Sequence, residues 1–167
     1  MVMDNDGLGV IARERGVFVA ELQRELDHAP QAVWRMLTES DRLVEWLASG
    51  SVDAQEGGAA RLDFGDSGII IDSVVTAFES GRLIEYSWSS PGEPQRPLRF
   101  EIIPQGDGCI LKMSLTTPDD EDIARSCAGW EAHLMMLLAA LEGVPIKFPF
   151  ERFQSTRGSY NEMVPGE

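Results

Sequence analysis

Residues 128–143, AGWEAHLMMLLAALEG, constrain the fold more than any other stretch of this chain. Trp130, Leu134, Leu137, Leu138 and Leu141 recur at spacings of three and four, which places them on one face of an amphipathic helix. Gly129 is expected to loosen the start of this helix. Glu142-Gly143 followed by Pro145 is a stop signal, because glycine accepts the left-handed C-cap and proline cannot continue a helix. A helix with such a face needs an apolar layer to cover.

That layer is readable upstream. Residues 17–26, VFVAELQREL, alternate Phe18, Ala20, Leu22 and Leu26 with Glu21, Gln23 and Glu25, the period-two pattern of a half-buried strand. From Glu56 to Pro118 the chain breaks into five short β-rich runs: GGAARLDFG, GIIIDSVVTAF, RLIEYSWSS, PLRFEIIP and CILKMSLTT. The breaks GDSG, ESG, SPGEPQRP and QGDG are turn-forming, and all but the proline-rich one have hairpin length. Six strands in an antiparallel sheet follow, with a seventh allowed. Between the first strand and the meander, Pro30 suits a first helical turn, and Val33, Trp34 and Leu37 form an apolar stripe. TESD interrupts it, and Ser40 or Asp41 is positioned to cap a second short helix carrying Leu43, Trp46 and Leu47.

The expected fold class is therefore α+β: a curved antiparallel sheet wrapped around a long C-terminal helix, with two short helices after the first strand. Residues 1–16 are expected to be a flexible segment, 17–143 the domain, and 144–167 a tail. Phe148, Phe150 and Phe153 pin part of that tail to the body, and a weakly structured end follows. At 167 residues one domain buries roughly 70% of the unfolded chain's surface.

Acidic residues outnumber basic ones 28 to 14, a formal net charge of -14. A nucleic acid, which demands a basic face, is not an expected partner, and neither is an anionic membrane surface. No stretch has the length of a transmembrane helix, and MVMDNDGLGVIARERG lacks the basic and apolar regions of a secretory signal. Cys109 and Cys127 read as half-buried free thiols of a cytoplasmic protein. Two distant histidines, His28 and His133, do not make a metal site, so neither metal nor cofactor is expected.

Several segments together carry a family likeness: RELDHAPQAVWRMLTESDRLVEW (24–46), RLIEYSW (82–88), the glycine turn with CILKMSL (108–115), and GWEAHLMMLLAALEG (129–143). In this order they resemble the SRPBCC or START-like superfamily. The closest look is to the branch named after the C-terminal domain of the heat-shock-protein ATPase activator. The resemblance implies a helix-grip fold and commonly an internal cavity for a lipid, polyketide or other small apolar molecule. It does not imply one activity. TTPDDEDIARSCAG and the aromatic tail depart from the family pattern, so the resemblance does not define the pocket mouth.

With that fold, the expected aromatic lining is Trp46, Phe64, Tyr86, Trp88, Phe100 and Trp130. Leu37, Ile102, Met113, His133 and Leu137 complete the ligand-binding set. His133, at the edge of the helix's apolar face, reads first as a boundary histidine with a local hydrogen bond and second as a proton-transfer group. His28 reads as exposed. Tyr86 shares a strand face with Ile84 and Trp88, so its hydroxyl is expected to be buried and to need a backbone or ligand partner. Asp63, Asp72, Glu85 and Glu101 fall on the outer strand face and read as solvated. No serine has a nucleophile-elbow setting and no glycine turn joins a strand to a helix as a phosphate loop does. The expected function is non-enzymatic binding of a small hydrophobic molecule. A protein-interaction or co-chaperone-like module comes second, and a cyclase- or hydratase-like enzyme using His133 and Tyr86 third.

Overall fold

The computed structural model describes residues 7–166. Eight strands, β1 (Val10–Glu14), β2 (Val17–Leu26), β3 (Ser49–Val52), β4 (Ala59–Asp63), β5 (Ile70–Glu79), β6 (Leu83–Ser87), β7 (Pro97–Gln105) and β8 (Gly108–Pro118), form one open sheet in the order β1-β2-β8-β7-β6-β5-β4-β3. Every neighbouring pair is antiparallel. The five runs of the meander are β4 to β8, and β2 pairs with β8 from Val17 opposite Pro118 to Leu26 opposite Cys109. The sheet is two strands larger than the six read from sequence. Both additions, β1 and β3, are short edge strands with mostly unburied side chains, so they lack the full alternation that betrays a strand with two neighbours. Of residues 1–16, residues 1–6 lie outside the described residues.

Strand parity places the core. Phe18, Ala20, Leu22 and Leu26 of β2, Leu98, Phe100 and Ile102 of β7, and Cys109, Leu111, Met113 and Leu115 of β8 all point to the same buried side. The outer side carries the charges: Asp72 pairs with Arg61, Glu85 with Arg99 and Glu101 with Arg82, exposed contacts that add little stability. A bulge between Val75 and Ala77 shifts the register of β5 and turns Phe78 inward, where its ring meets Trp34 at 5.8 Å.

Helix α1 (Pro30–Thr38) opens on Pro30, with Ala29 extended as a residue before proline must be. Helix α2 (Ser40–Trp46) follows after the single extended residue Glu39. Ser40 and Asp41 lie inside its first turn, and Glu39 is the N-cap without a side-chain hydrogen bond, which corrects the expected cap.

Helix α3 (Ile123–Leu141) crosses the concave face and starts earlier than the apolar repeat announces. Its start is set by Asp122, whose carboxylate accepts from the Arg125 amide at 3.1 Å, and Gly129 is interior. At the other end Gly143 adopts φ 81°, Val144 donates to the Ala139 carbonyl and Gly143 to that of Ala140, the double bond of a Schellman stop. Trp130, Leu134 and Leu137 are buried as expected, but Leu138 is 44% exposed, because it sits one step round from Leu137 and leaves the sheet-facing stripe.

The tail also departs from expectation. Residues Phe150–Met163 form helix α4, packed along α3, with Thr156 and Tyr160 buried one turn apart. Phe150, expected to pin the tail, is 68% exposed, whereas Phe148 and Phe153 are half-buried.

Candidate functional site

The rings expected to line a pocket come together where α2, α3 and the concave sheet meet. Trp130 of α3 lies 4.9 Å from Trp88, 5.9 Å from Phe100 and 6.5 Å from Trp46 between ring centroids, and Trp46 meets Phe100 edge-on at 6.3 Å. Tyr86 joins through Trp88 at 6.5 Å and Phe64 through Trp88 at 5.8 Å. These are the tilted and edge-to-face arrangements that aromatic quadrupoles favour. Trp46 is fixed by its indole N–H, which donates to the Met36 carbonyl at 2.7 Å. Leu37, Ile102, Met113 and Leu137 are buried in the same core cluster.

The inner rings of the nest, Trp46, Tyr86, Phe100 and Trp130, keep at most 3% of their surface exposed. Two surface hollows elsewhere, one of about 190 Å³ over Glu21, Arg99 and Lys112 and one of about 420 Å³ beside Arg24 and Arg152, include none of the nest residues. One end of the nest is different. Phe64, Trp88, His133 and Phe148 are half-buried there, while Trp46, Tyr86, Phe100 and Trp130 are buried. His133 sits between three rings, 5.5 Å from Phe148, 5.9 Å from Trp130 and 6.1 Å from Phe64. Its Nδ1 lies 2.8 Å from the Trp46 carbonyl oxygen. A carbonyl only accepts, so Nδ1 carries the proton. Burial lowers the imidazole's pKa from 6.5, against the opposing pull of the Trp46 carbonyl, and favours the neutral ring.

Tyr86 is buried as expected, and burial raises its pKa above the usual phenol value of 10.0. Its hydroxyl makes no hydrogen bond to another described residue, so it finds neither the backbone partner expected of it nor a base. His28 is not simply exposed: its Nε2 lies 2.6 Å from the carboxylate of Glu142, tying the loop before α1 to the end of α3. Cys109 and Cys127 are both free and fully buried rather than half-buried. Among the described residues no group of three or more His, Cys, Asp or Glu side chains could hold a metal ion.

A second cluster, unread in the sequence, lies on the opposite flank of α3. Glu131 is fully buried and ion-pairs with Arg24 of β2, with Arg152 of α4 3.5 Å away. The Tyr160 hydroxyl donates to Glu131 at 2.5 Å and accepts from the Gly9 amide at 2.7 Å. Burial, then the Glu131 charge, push the phenol's pKa upward. The available signal was Arg24: it occupies the inward parity of β2, between Leu22 and Leu26, where a cation needs a buried partner.

Among solved structures, similar folds include CalU16 from Micromonospora echinospora, 19% identical with a TM-score of 0.73, covering 93% of this chain and 97% of that one. A conserved protein of unknown function, EF2215 from Enterococcus faecalis, is also 19% identical with a TM-score of 0.73, over 94% of this chain and 92% of that one. DynU16, from the dynemicin biosynthetic locus, is 22% identical with a TM-score of 0.68, over 76% of this chain and 48% of that one. At these identities the likeness establishes the fold. Comparison with curated proteins finds no match. Among the described residues no helix is long and apolar enough to cross a membrane. The family model for Activator of Hsp90 ATPase homolog 1-like proteins matches residues 27–142, from the loop before α1 to the end of α3, and the chain belongs to that family.

Proposed function

We propose that this protein binds a small apolar molecule in the aromatic nest, entering at the end marked by Phe64, Trp88, His133 and Phe148. One observation carries the reading. Phe148 completes the ring cluster from a linker, residues 144–149, that has no regular structure and whose residues 144–147 are all exposed. Its ring, which like those of Phe64 and Trp88 belongs to no helix or strand, can move without unfolding one, and it alone comes from this exposed linker. A ligand replacing it would gain roughly 25 cal/mol per Å² of apolar surface withdrawn from water. The link between DynU16 and a biosynthetic locus is compatible with a small-molecule ligand. Two free cysteines support a reducing, cytoplasmic setting.

The test is titration with a neutral fluorescent naphthylamine, together with mass spectrometry of molecules that co-purify with the folded protein. Saturable binding that quenches tryptophan emission is expected. Absence of both binding and a co-purified molecule overturns the reading.

A second reading, a protein-interaction module, is favoured by exposed apolar side chains on α3, the linker and the start of α4: Met135, Leu138, Val144 and Phe150. Val144→Ser with Phe150→Ser abolishes association with a partner protein under this reading and leaves naphthylamine binding intact.

A further inference from the structure

The hydrogen-bond state of His133 narrows the ligand class, on the reading that the nest is a binding site. Since Nδ1 donates its proton to the Trp46 carbonyl, the neutral ring presents a lone pair at Nε2. That nitrogen has no hydrogen-bond partner among the described residues. The rings of Phe64, Trp130 and Phe148 pack round the imidazole at 5.5–6.1 Å between centroids, so an incoming molecule meets carbon surface and a single acceptor.

Each alternative ligand type conflicts with one of these features. A plain hydrocarbon leaves the acceptor unmatched where water is displaced, which costs free energy. A carboxylate or phosphate offers a second acceptor to the first and approaches a chain of net charge -14. An ammonium group can donate to Nε2 and is drawn to aromatic faces, but it brings no flat ring to take the place of the Phe148 ring. An aliphatic alcohol supplies the donor but not the flat ring that Phe148 now contributes. A phenol supplies both, and its O–H is a stronger donor than that of an ordinary alcohol.

We propose that the nest selects a neutral aromatic molecule bearing a hydroxyl group, its ring taking the place of the Phe148 ring and its hydroxyl donating to Nε2 of His133.

The experiment compares 2-naphthol with 2-methylnaphthalene, molecules of similar shape that differ in the donor, on protein carrying ¹⁵N-labelled histidine. The chain has two histidines, so the His133 signals are assignable by comparison with a His28 variant. Naphthol is expected to bind about tenfold more tightly, the worth of one hydrogen bond. It should also shift the Nε2 resonance of His133 in the sense of hydrogen-bond acceptance, while methylnaphthalene should not. In His133→Phe the ratio of the two affinities should fall to about one; if that variant fails to fold, the nitrogen shift in the unaltered protein decides. Equal affinities with a stationary Nε2 resonance, while Phe148 ring signals show both molecules in the nest, overturn the hydroxyl selection and leave the binding site standing. Failure of both molecules to bind overturns the two readings together.

Discussion

The Tyr160 hydroxyl of α4 donates to the fully buried carboxylate of Glu131 on α3 at 2.5 Å and accepts the amide of Gly9 in the same step. One oxygen thus joins three segments of the chain. Tyr160→Phe removes a hydrogen bond to a charged group and orphans a buried amide while leaving the ring in place. A loss of about 2–4 kcal/mol is expected. The shift in the urea midpoint measures it, with circular dichroism reporting whether α4 remains helical.

Alkaline pH should destabilise the protein before any arginine titrates. Tyr86 and Tyr160 have pKa values raised above 10.0, Cys127 is pushed up from 9.0 to about 12, and Cys109 is raised in the same direction, in each case chiefly by burial. Groups raised in the fold lose their protons first in the unfolded chain. Their contribution is whole below about pH 9 and is lost as pH rises beyond it. Urea midpoints at pH 8 and pH 10.5 should differ, with the lower value at pH 10.5.

The same burial makes both thiols unreactive in the native state. A disulfide-exchange reagent at pH 8 should titrate no cysteine in buffer and both in denaturant. Rapid native labelling would mean that α3 opens over Cys127.

On the acid side the sign reverses. The pKa of His133 is lowered from 6.5, so the unfolded chain takes up its proton first and the stabilising contribution is present above that value. It is lost as pH falls from about 6.5 through the folded pKa. Unfolding free energies at pH 7 and pH 5.5 should differ more for the unaltered protein than for His133→Gln.

Phe148→Ala tests whether the ring at the mouth obstructs the nest or forms a permanent wall. Phe148 contacts His133, Phe150 and Phe153 but is only half-buried, so the expected cost in stability is about 1 kcal/mol. Naphthylamine affinity should rise severalfold. A fall in affinity would identify Phe148 as part of the bound site.

What the sequence disclosed depended on how many neighbours each segment has. β2 and the meander were legible because one face of each is buried in the core beneath the helices, which enforces apolar alternation; β1 and β3, with one strand neighbour each, show little of it. Helix α4 escaped because FERFQSTRGSYNEM contains a glycine and two serines and buries only Thr156 and Tyr160, too few residues to form a stripe. The meeting of Trp46, Trp88, Phe100 and Trp130 followed from strand parity once the helix-grip arrangement was assumed. The close packing of the nest was not readable, since packing between a sheet and a helix depends on rotamers and on a tail residue, Phe148, remote from both in sequence. Glu131 was hidden for a related reason: on a helix a carboxylate ordinarily marks the wet side, and its partners come from positions 24, 152 and 160.

The bond between Gly9 and Tyr160 spans 151 positions. At cellular translation speeds of 5–20 residues per second, the amide waits about 8–30 s before its acceptor has even been synthesised. During that interval β1 is held by its hairpin partner β2 alone, and the amide just before it has no anchor in the last helix. The two ends of the chain are thus fastened to each other only after the last helix has been made.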